Sequence, residues 1–498
     1  MDQLTLSLLI SFIFIISLFI LHSRISQSAK SPPGPRPLPI IGNILELGTL
    51  PHQSLANLSR TYGPVMSVKL GRTTTIVISS PKVAKEVLQE KDHAFCFRTI
   101  PDTIRALDHD KISVAWMPPM SQWRVLKRIC ATEVFSSQRL NSTQSLRQRQ
   151  LKELVHHVSE FCRKGEALDI GDAVFTTVLN SISNTFFSLD LALYTSDKSQ
   201  EFKDVIRGIM EVAGRPNIVD FFPVLRVLDP QGARAKMIGY VAKLIAFFDG
   251  LIEERLQFRG SEMESKRFND VLDSLIQLMM QENPQVSRSQ VLHLFLDLFV
   301  GGIDTTSSTI EWAMAELVRN PEKLKKVKEE LKQAINEDEQ LEDFHISKLP
   351  FLRAIVKETL RLHPSFPLLV PHKTEDEVQL CGCFMVPKNA QVLINVWAIG
   401  RDPSVWDDPK QFMPERFSAT EIDFKGHDFE LIPFGAGRRI CPGLPLANRT
   451  IHIVLASLLY HFDWKLADGL KVEDMNMSET YGISLHKAIP LKAIPKQT

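Results

Sequence analysis

The chain has 498 residues, and its 58 basic and 58 acidic side chains give a formal net charge of +0, which argues against a nucleic-acid partner, since that calls for Lys and Arg in excess on one face. Its 44% hydrophobic and 23% charged content is that of a globular protein whose core can enclose a prosthetic group. Six cysteines, at 96, 130, 162, 381, 383 and 441, lack the dense even spacing of a secreted disulfide scaffold and indicate a reducing compartment.

Residues 4–21 carry no charge and are almost all Leu, Ile and Phe, a run long enough to span a bilayer. A secretory signal peptide is the alternative, but the run exceeds the usual h-region and no small-x-small cleavage site precedes the polar residues. Asp2 lies before it and Arg24, Lys30 and Arg36 after it, so the positive-inside rule predicts that the body faces the cytosol. Next comes Pro32-Pro33-Gly34-Pro35-Arg36-Pro37-Leu38-Pro39, a stiff extended spacer because proline fixes φ and donates to neither helix nor sheet. No linker or repeat divides the rest. We therefore expect an anchor over 1–24, a hinge over 25–40 and one large domain over 41–498.

Trp123-Arg124-Val125-Leu126-Lys127-Arg128 reads as a helical stretch with a basic face. Further on, Ser287-Arg288-Ser289-Gln290 forms a capping-box pattern, and apolar residues recur until Asn320-Pro321 stops the run. This predicts one helix of about thirty residues, roughly 45 Å long. Its centre is anomalous: Gly301-Gly302-Ile303-Asp304-Thr305-Thr306 places two glycines, each about 1 kcal/mol worse than alanine, where a buried helix wants leucine. Such a site marks close packing or function, and the Thr305 hydroxyl can bond the carbonyl one turn back and loosen the helix.

Glu358 and Arg361, three apart, share a helical face, a weak signal by itself. Cys381-Gly382-Cys383 lies between two short strand-like segments, and a two-cysteine site lacks the further ligands that zinc requires; the structural reading prevails there. Pro414-Glu415-Arg416-Phe417 follows. The last segment is the most informative: Phe434-Gly435-Ala436-Gly437-Arg438-Arg439-Ile440-Cys441-Pro442-Gly443. Its glycines and proline forbid a regular helix or strand, so the backbone must loop around the sulfur. Inward N–H groups, with Arg439 close by, are expected to stabilise negative charge on sulfur and lower its pKa.

Phe434, Gly437, Arg439, Cys441 and Gly443 fit Phe-x-x-Gly-x-Arg-x-Cys-x-Gly, and by it the chain resembles the cytochrome P450 family. Five such identities arise by chance on the order of once in ten thousand chains. The resemblance implies a mainly α fold with small β-sheets behind an N-terminal transmembrane helix, and a haem b cofactor (iron protoporphyrin IX) whose axial ligand is the Cys441 thiolate. By the same resemblance, Phe434 and Gly443 frame that loop, and Trp123, Lys127, Arg124, His372 and Arg439 are candidates to bind the haem propionates. Lys127 departs from the pattern, standing where arginine is usual, so a point charge replaces a bidentate fork. Thr305 and Asp304, matching Ala/Gly-Gly-x-Asp/Glu-Thr, would deliver the protons that split O₂. Glu358, Arg361 and Arg416 would form a buried network under the haem loop.

The family's pocket-lining segments map to 100–120, 294–305, 365–370 and 481–485. They nominate Trp116, Met117, Met120, Leu298, Phe299, Val300, Gly301, Phe366, Leu368, Leu369 and Ile483, an apolar set suited to a lipophilic substrate. With no Rossmann fingerprint present, the electrons must come from a separate partner, by resemblance the NADPH–cytochrome P450 reductase of the endoplasmic reticulum membrane, with cytochrome b5 as a further partner. Asn395-Val396-Trp397-Ala398-Ile399-Gly400-Arg401-Asp402 and Cys441-Pro442-Gly443-Leu444-Pro445-Leu446-Ala447 look like plant microsomal enzymes of the geraniol 8-hydroxylase group. A monooxygenase acting on a monoterpene alcohol is the leading expectation; sesquiterpenes, diterpenes, phenolics and coumarins are alternatives. A P450-fold isomerase or dehydratase is disfavoured by the intact Asp304-Thr305 pair.

Overall fold

The long central helix is built as its punctuation dictates. In the computed structural model, which describes residues 31–194, 197–259, 270–336 and 341–497, it spans Arg288–Arg319. The Ser287 side chain accepts from the Gln290 N–H, the Gln290 side chain accepts from the Ser287 N–H, and the helix stops at Asn320 ahead of Pro321. At 1.5 Å per residue it is about 48 Å long.

The principal helices are α1 (Pro51–Tyr62), α2 (Ser121–Ile129), α3 (Gln144–Lys164), α4 (Ile170–Phe187), α5 (Asp197–Gly214), α6 (Ala233–Arg259), the central helix α7, α8 (Pro350–Leu362) and α9 (Leu444–His461). Because α7 is apolar on most of its circumference, neighbours must cover it. Helices α4, α6, α8 and α9 do so, and one continuous core of Leu, Ile, Val and Phe joins them.

The strands are few and short. One sheet has the order β1 (Val65–Leu70), β2 (Thr73–Ile78), β8 (Gln391–Ile394), β5 (His372–Lys373), β3 (Phe97–Arg98); only β2 and β8 run parallel. In it Arg98 pairs with His372, which decides the site described below. A second sheet joins β4 (Leu168–Asp169), β12 (Lys492–Gln497) and β9 (Phe462–Leu466). The hairpin β6 (Val378–Leu380) and β7 (Phe384–Val386) carries Cys381 and Cys383 at its exposed turn, in keeping with their structural reading. The hairpin β10 (Glu479–Tyr481) and β11 (Leu485–Lys487) lies against α7.

The expected mainly α fold with small sheets is thus present. The expected anchor over 1–24 and hinge residues 25–30 lie outside the described residues. Among the described residues no helix is long and apolar enough to cross a membrane.

Candidate active site

Cys441 sits in a loop that its sequence forces. Gly435 and Gly437 have φ of +71° and +65°, and a Cβ at Gly437 would lie 1.9 Å from the Leu88 carbonyl oxygen, so no other residue fits there. The Cys441 N–H donates to Phe434 O at 3.0 Å, closing the turn. The backbone N–H groups of Gly443 and Leu444, at the start of α9, stabilise the sulfur's negative charge, as does the charge of Lys127. The expected lowering of the pKa is not the net result: burial pushes the Cys441 thiol up and outweighs these donors. Nor does Arg439 act on the sulfur. Its guanidinium turns away, donating to the carbonyls of Cys96 at 2.8 Å, Val114 at 3.3 Å and Met117 at 2.6 Å.

Facing this loop, α7 presents Leu298, Gly301, Gly302, Thr305 and Thr309 to a cavity that Cys441 also lines. The two glycines have different reasons. A Cβ on Gly302 would meet Ile182 Cδ1 of α4 at 2.8 Å, whereas a Cβ on Gly301 meets nothing within 4 Å; the first permits helix packing and the second leaves space. The Thr305 Oγ1 donates to Gly301 O at 2.8 Å, one turn back. Asp304 was expected beside it, but its carboxylate is not on the cavity wall. Successive residues on a helix point about 100° apart, and Asp304 turns towards β11, accepting a very short hydrogen bond from Ser484 and lying 3.0 Å from His486 Nε2.

Beneath the cysteine loop, Arg361 forks onto Glu358 with two bonds of 2.7 Å, both side chains 0% exposed. Its remaining N–H groups reach the carbonyls of Gly400, Pro409 at 2.7 Å and Gln411 at 3.1 Å. Glu358 also accepts from the Met413 N–H at 2.7 Å and from Arg416 Nε at 3.1 Å. A buried pair with every donor used is the arrangement in which an interior charge is tolerated, and it ties α8 to the segment leading into the loop.

At the cavity edge lies a cluster of basic groups in which, among the described residues, Arg438 alone has an acid to match, Asp92 at 2.7 Å. Arg98, Lys127, His372, Arg438 and Arg439 line it, and among the described residues neither Arg98 nor Arg439 has a carboxylate partner. Burial and the neighbouring Arg439 charge push Arg98 down to about 9; burial pushes Arg439 down to about 10. Arg98 Nη1 donates to Val370 O at 2.5 Å, but its buried Nε has no partner. Such a cluster calls for an anion.

The cytochrome P450 family model matches residues 32–490. The chain belongs to the cytochrome P450 family. It is 51% identical over 495 residues to cytochrome P450 76T24 of Catharanthus roseus, and 49% identical over 496 residues to the geraniol 8-hydroxylases of Catharanthus roseus and of Swertia mussotii, covering 99% of both chains in each pair. It is therefore a P450 monooxygenase, a family that uses haem b with a cysteine thiolate as axial ligand, takes electrons from a redox-partner reductase and binds small lipophilic substrates.

The residues of this P450 fit that cofactor. The cavity joins a donor-lined thiol to a basic edge with an orphaned guanidinium nitrogen, the two ends a haem iron and its propionates require. Cys441 would ligate, and Arg98, Lys127, His372 and Arg439 would hold the propionates. When bound, haem supplies the iron at which O₂ is reduced and split for insertion into a C–H bond. The chain's own part is to aim the substrate, keep water out and place the Thr305 hydroxyl within the groove. Arg98 was missed by motif reasoning; its only sequence signal was a lone arginine in an apolar stretch, and its pairing with His372 is visible only in the sheet.

Other expected residues fall elsewhere. Arg124 is exposed, one helical position off the face that carries Trp123 and Lys127. The Trp123 indole N–H donates to Val114 O at 2.9 Å, so Trp123 acts as a plate on which Arg439 stacks at 4.5 Å, and Lys127 Nζ donates to Arg438 O. Phe434 and Gly443 line the cavity as expected, as do Leu298, Gly301, Phe366 and Leu369. Trp116, Met117, Met120, Phe299, Val300, Leu368 and Ile483 do not. Met120, just ahead of α2, is 62% exposed; Trp116 and Met117 are buried in the core behind the wall. Phe299 packs among Phe187, Phe202 and Phe248, and Val300 against the same core, because α7 offers the cavity only every third or fourth residue. Leu368 belongs to the cluster around β1 and β2, and Ile483 abuts Gly214. In their place, α4 contributes Val178, Ile182 and Phe186, and the stretch before α2 contributes Val114 and Ala115.

Proposed function

We propose that this P450 hydroxylates a small plant terpenoid, a geraniol-type acyclic monoterpene alcohol, at an allylic C–H. The likeness to two geraniol 8-hydroxylases at 49% over 99% of each chain carries the reading. The apolar wall of Val114, Ala115, Val178, Ile182, Phe186 and Leu369 supports it, since such a surface selects by shape. In geraniol, carbon 8 is the terminal methyl carbon at the end opposite the hydroxyl. In this assignment Cys441 is the axial ligand and Thr305 places protons at the site of O₂ cleavage, while Asp304, turned towards Ser484 and His486, has no part on the cavity wall. Glu358, Arg361 and Arg416 hold the loop. NADPH–cytochrome P450 reductase is the electron donor, cytochrome b5 an accessory one, and residues 1–24 anchor the domain over 41–498 through the hinge at 25–40 to the cytosolic face of the endoplasmic reticulum. Microsomes containing the protein and a reductase, given NADPH and a panel of terpenes and phenolics, test it by mass spectrometry. A monoterpene alcohol gaining one oxygen is the expected product; turnover confined to phenolics would overturn the substrate class.

A further inference from the structure

Asp297 is the one carboxylate among the described residues that line the cavity. It lies on α7 one turn before Gly301 and two turns before Thr305, on the stripe that faces the cavity. Its side chain is 6% exposed. Both of its oxygens are near Ser113 Oγ, at 2.7 and 2.8 Å; Oδ2 accepts from the Val114 N–H at 2.9 Å, and Oδ1 lies 3.2 Å from His109 Nε2. No Lys or Arg among the described residues pairs with it. Beyond His109 the chain of contacts continues to His293, Nδ1 to Nδ1 at 2.8 Å, which burial and His109 hold neutral by pushing it down to about 4.

A serine hydroxyl has one proton, so it satisfies one of the two carboxylate oxygens at a time. A carboxylate offers about four acceptor sites, of which the Ser113 hydroxyl, the Val114 N–H and His109 Nε2 fill at most three, so one is left on the wall of a largely apolar cavity. A hydroxyl that donates to a carboxylate makes a charge-assisted bond, about twice as strong as a neutral one. A hydrocarbon pressed against the same oxygen leaves it unsatisfied.

We propose that Asp297 binds the substrate's hydroxyl group and thereby sets which end of the molecule is oxidised. The inference rests on the terpene-alcohol reading above. Eight residues separate Asp297 from Thr305, about 12 Å along the helix. The oxygen and carbon 8 of an extended geraniol are eight bonds apart, about 10 Å at the advance per bond of an extended chain, and the hydrogen bond adds about 2.8 Å. An alcohol held at Asp297 therefore brings its opposite terminus level with Thr305.

The test titrates the holoenzyme with geraniol, geranyl methyl ether and 2,6-dimethylocta-2,6-diene, reading the ligand-induced shift of the haem absorbance. The wild type is expected to bind geraniol roughly tenfold more tightly than the ether or the hydrocarbon. In Asp297→Asn, which keeps an acceptor for the Val114 N–H, that preference should fall roughly to unity. In Ser113→Ala, which removes the competing hydroxyl, it should rise above the wild-type value, and this variant decides the matter if Asp297→Asn fails to fold, because an unchanged preference there overturns the anchor. Equal preference in the wild type, or an unchanged preference in Asp297→Asn, overturns the anchor while leaving the terpenoid reading intact. Failure of all three ligands to bind overturns the terpenoid reading, and the anchor falls with it.

Discussion

At the scale of single residues, Cys441 and Thr305 face each other across the cavity with separable duties. Cys441→Ala removes the only thiol among the described residues that line it, so the long-wavelength reduced-CO band that reports thiolate ligation should vanish together with turnover. Thr305→Ala leaves the thiol untouched but removes the hydroxyl bonded to Gly301 O. The band should persist, while product formed per NADPH falls by roughly a hundredfold, the low end of what general acid catalysis contributes, and hydrogen peroxide rises to balance it. Unchanged coupling would remove Thr305 from proton placement. Arg98 allows a third expectation. Buried beside Arg439 with Nε unsatisfied, it is a liability in the empty protein and an asset once an anion arrives. Arg98→Leu should leave the apoprotein no less stable to heat, yet speed haem transfer to apomyoglobin roughly tenfold or more, as loss of a charge-assisted hydrogen bond entails.

At the scale of elements, α7 shows what a local pattern discloses and what it hides. Its start and stop were legible because a capping box and a proline act within a few residues of themselves. The glycine pair was legible as an anomaly, but its two members could be told apart only with α4 in place. Gly301→Ala meets open space and gains up to about 1 kcal/mol of helix propensity, so its thermal midpoint should rise while the binding of bulky ligands weakens. Gly302→Ala drives a methyl into Ile182 Cδ1, the end of a side chain that must turn aside, so overpacking offsets the gain in helix propensity and its midpoint should fall below that of Gly301→Ala. Equal midpoints would mean that the contact between α7 and α4 yields freely. The cavity wall was half-read for a related reason. Mapping whole segments nominated Phe299 and Val300 beside Leu298, though the turn of the helix sends them into the core. It also had no means of naming Val178 or Ile182, which join the wall only because α4 crosses α7. Arg98 and His372, far apart in sequence, meet solely through the register of β3 and β5.

At the scale of the whole molecule, buried acids join segments that are remote in the chain. Glu358 binds α8 to the stretch before the cysteine loop, and Glu479 does the same for the opposite side. From β10, Glu479 lies 3.0 Å from His52 Nε2, accepts from Gln53 of α1 at 2.8 Å and from the Trp397 indole at 3.2 Å, and has Arg401 and His363 at 3.8 Å. Burial alone would raise its carboxyl, but the nearby His363, the hydrogen bond with His52 and the Arg401 charge prevail and hold it well below the usual carboxylate range. A carboxyl depressed in the folded state contributes stability that is fully present above its unfolded value of about 4.3 and is lost as pH falls through the folded one. Glu479→Gln leaves Arg401 and these donors without their charge, which should destabilise the protein by about 3 kcal/mol at neutral pH. On acidification from pH 7 the gap in thermal midpoint between wild type and variant should hold until about pH 4.5 and then narrow. Carboxylates remote from Glu479 titrate in both proteins and cancel in the difference. A gap that stays constant to pH 3, read by calorimetry, would place the loss in packing and not in the charge.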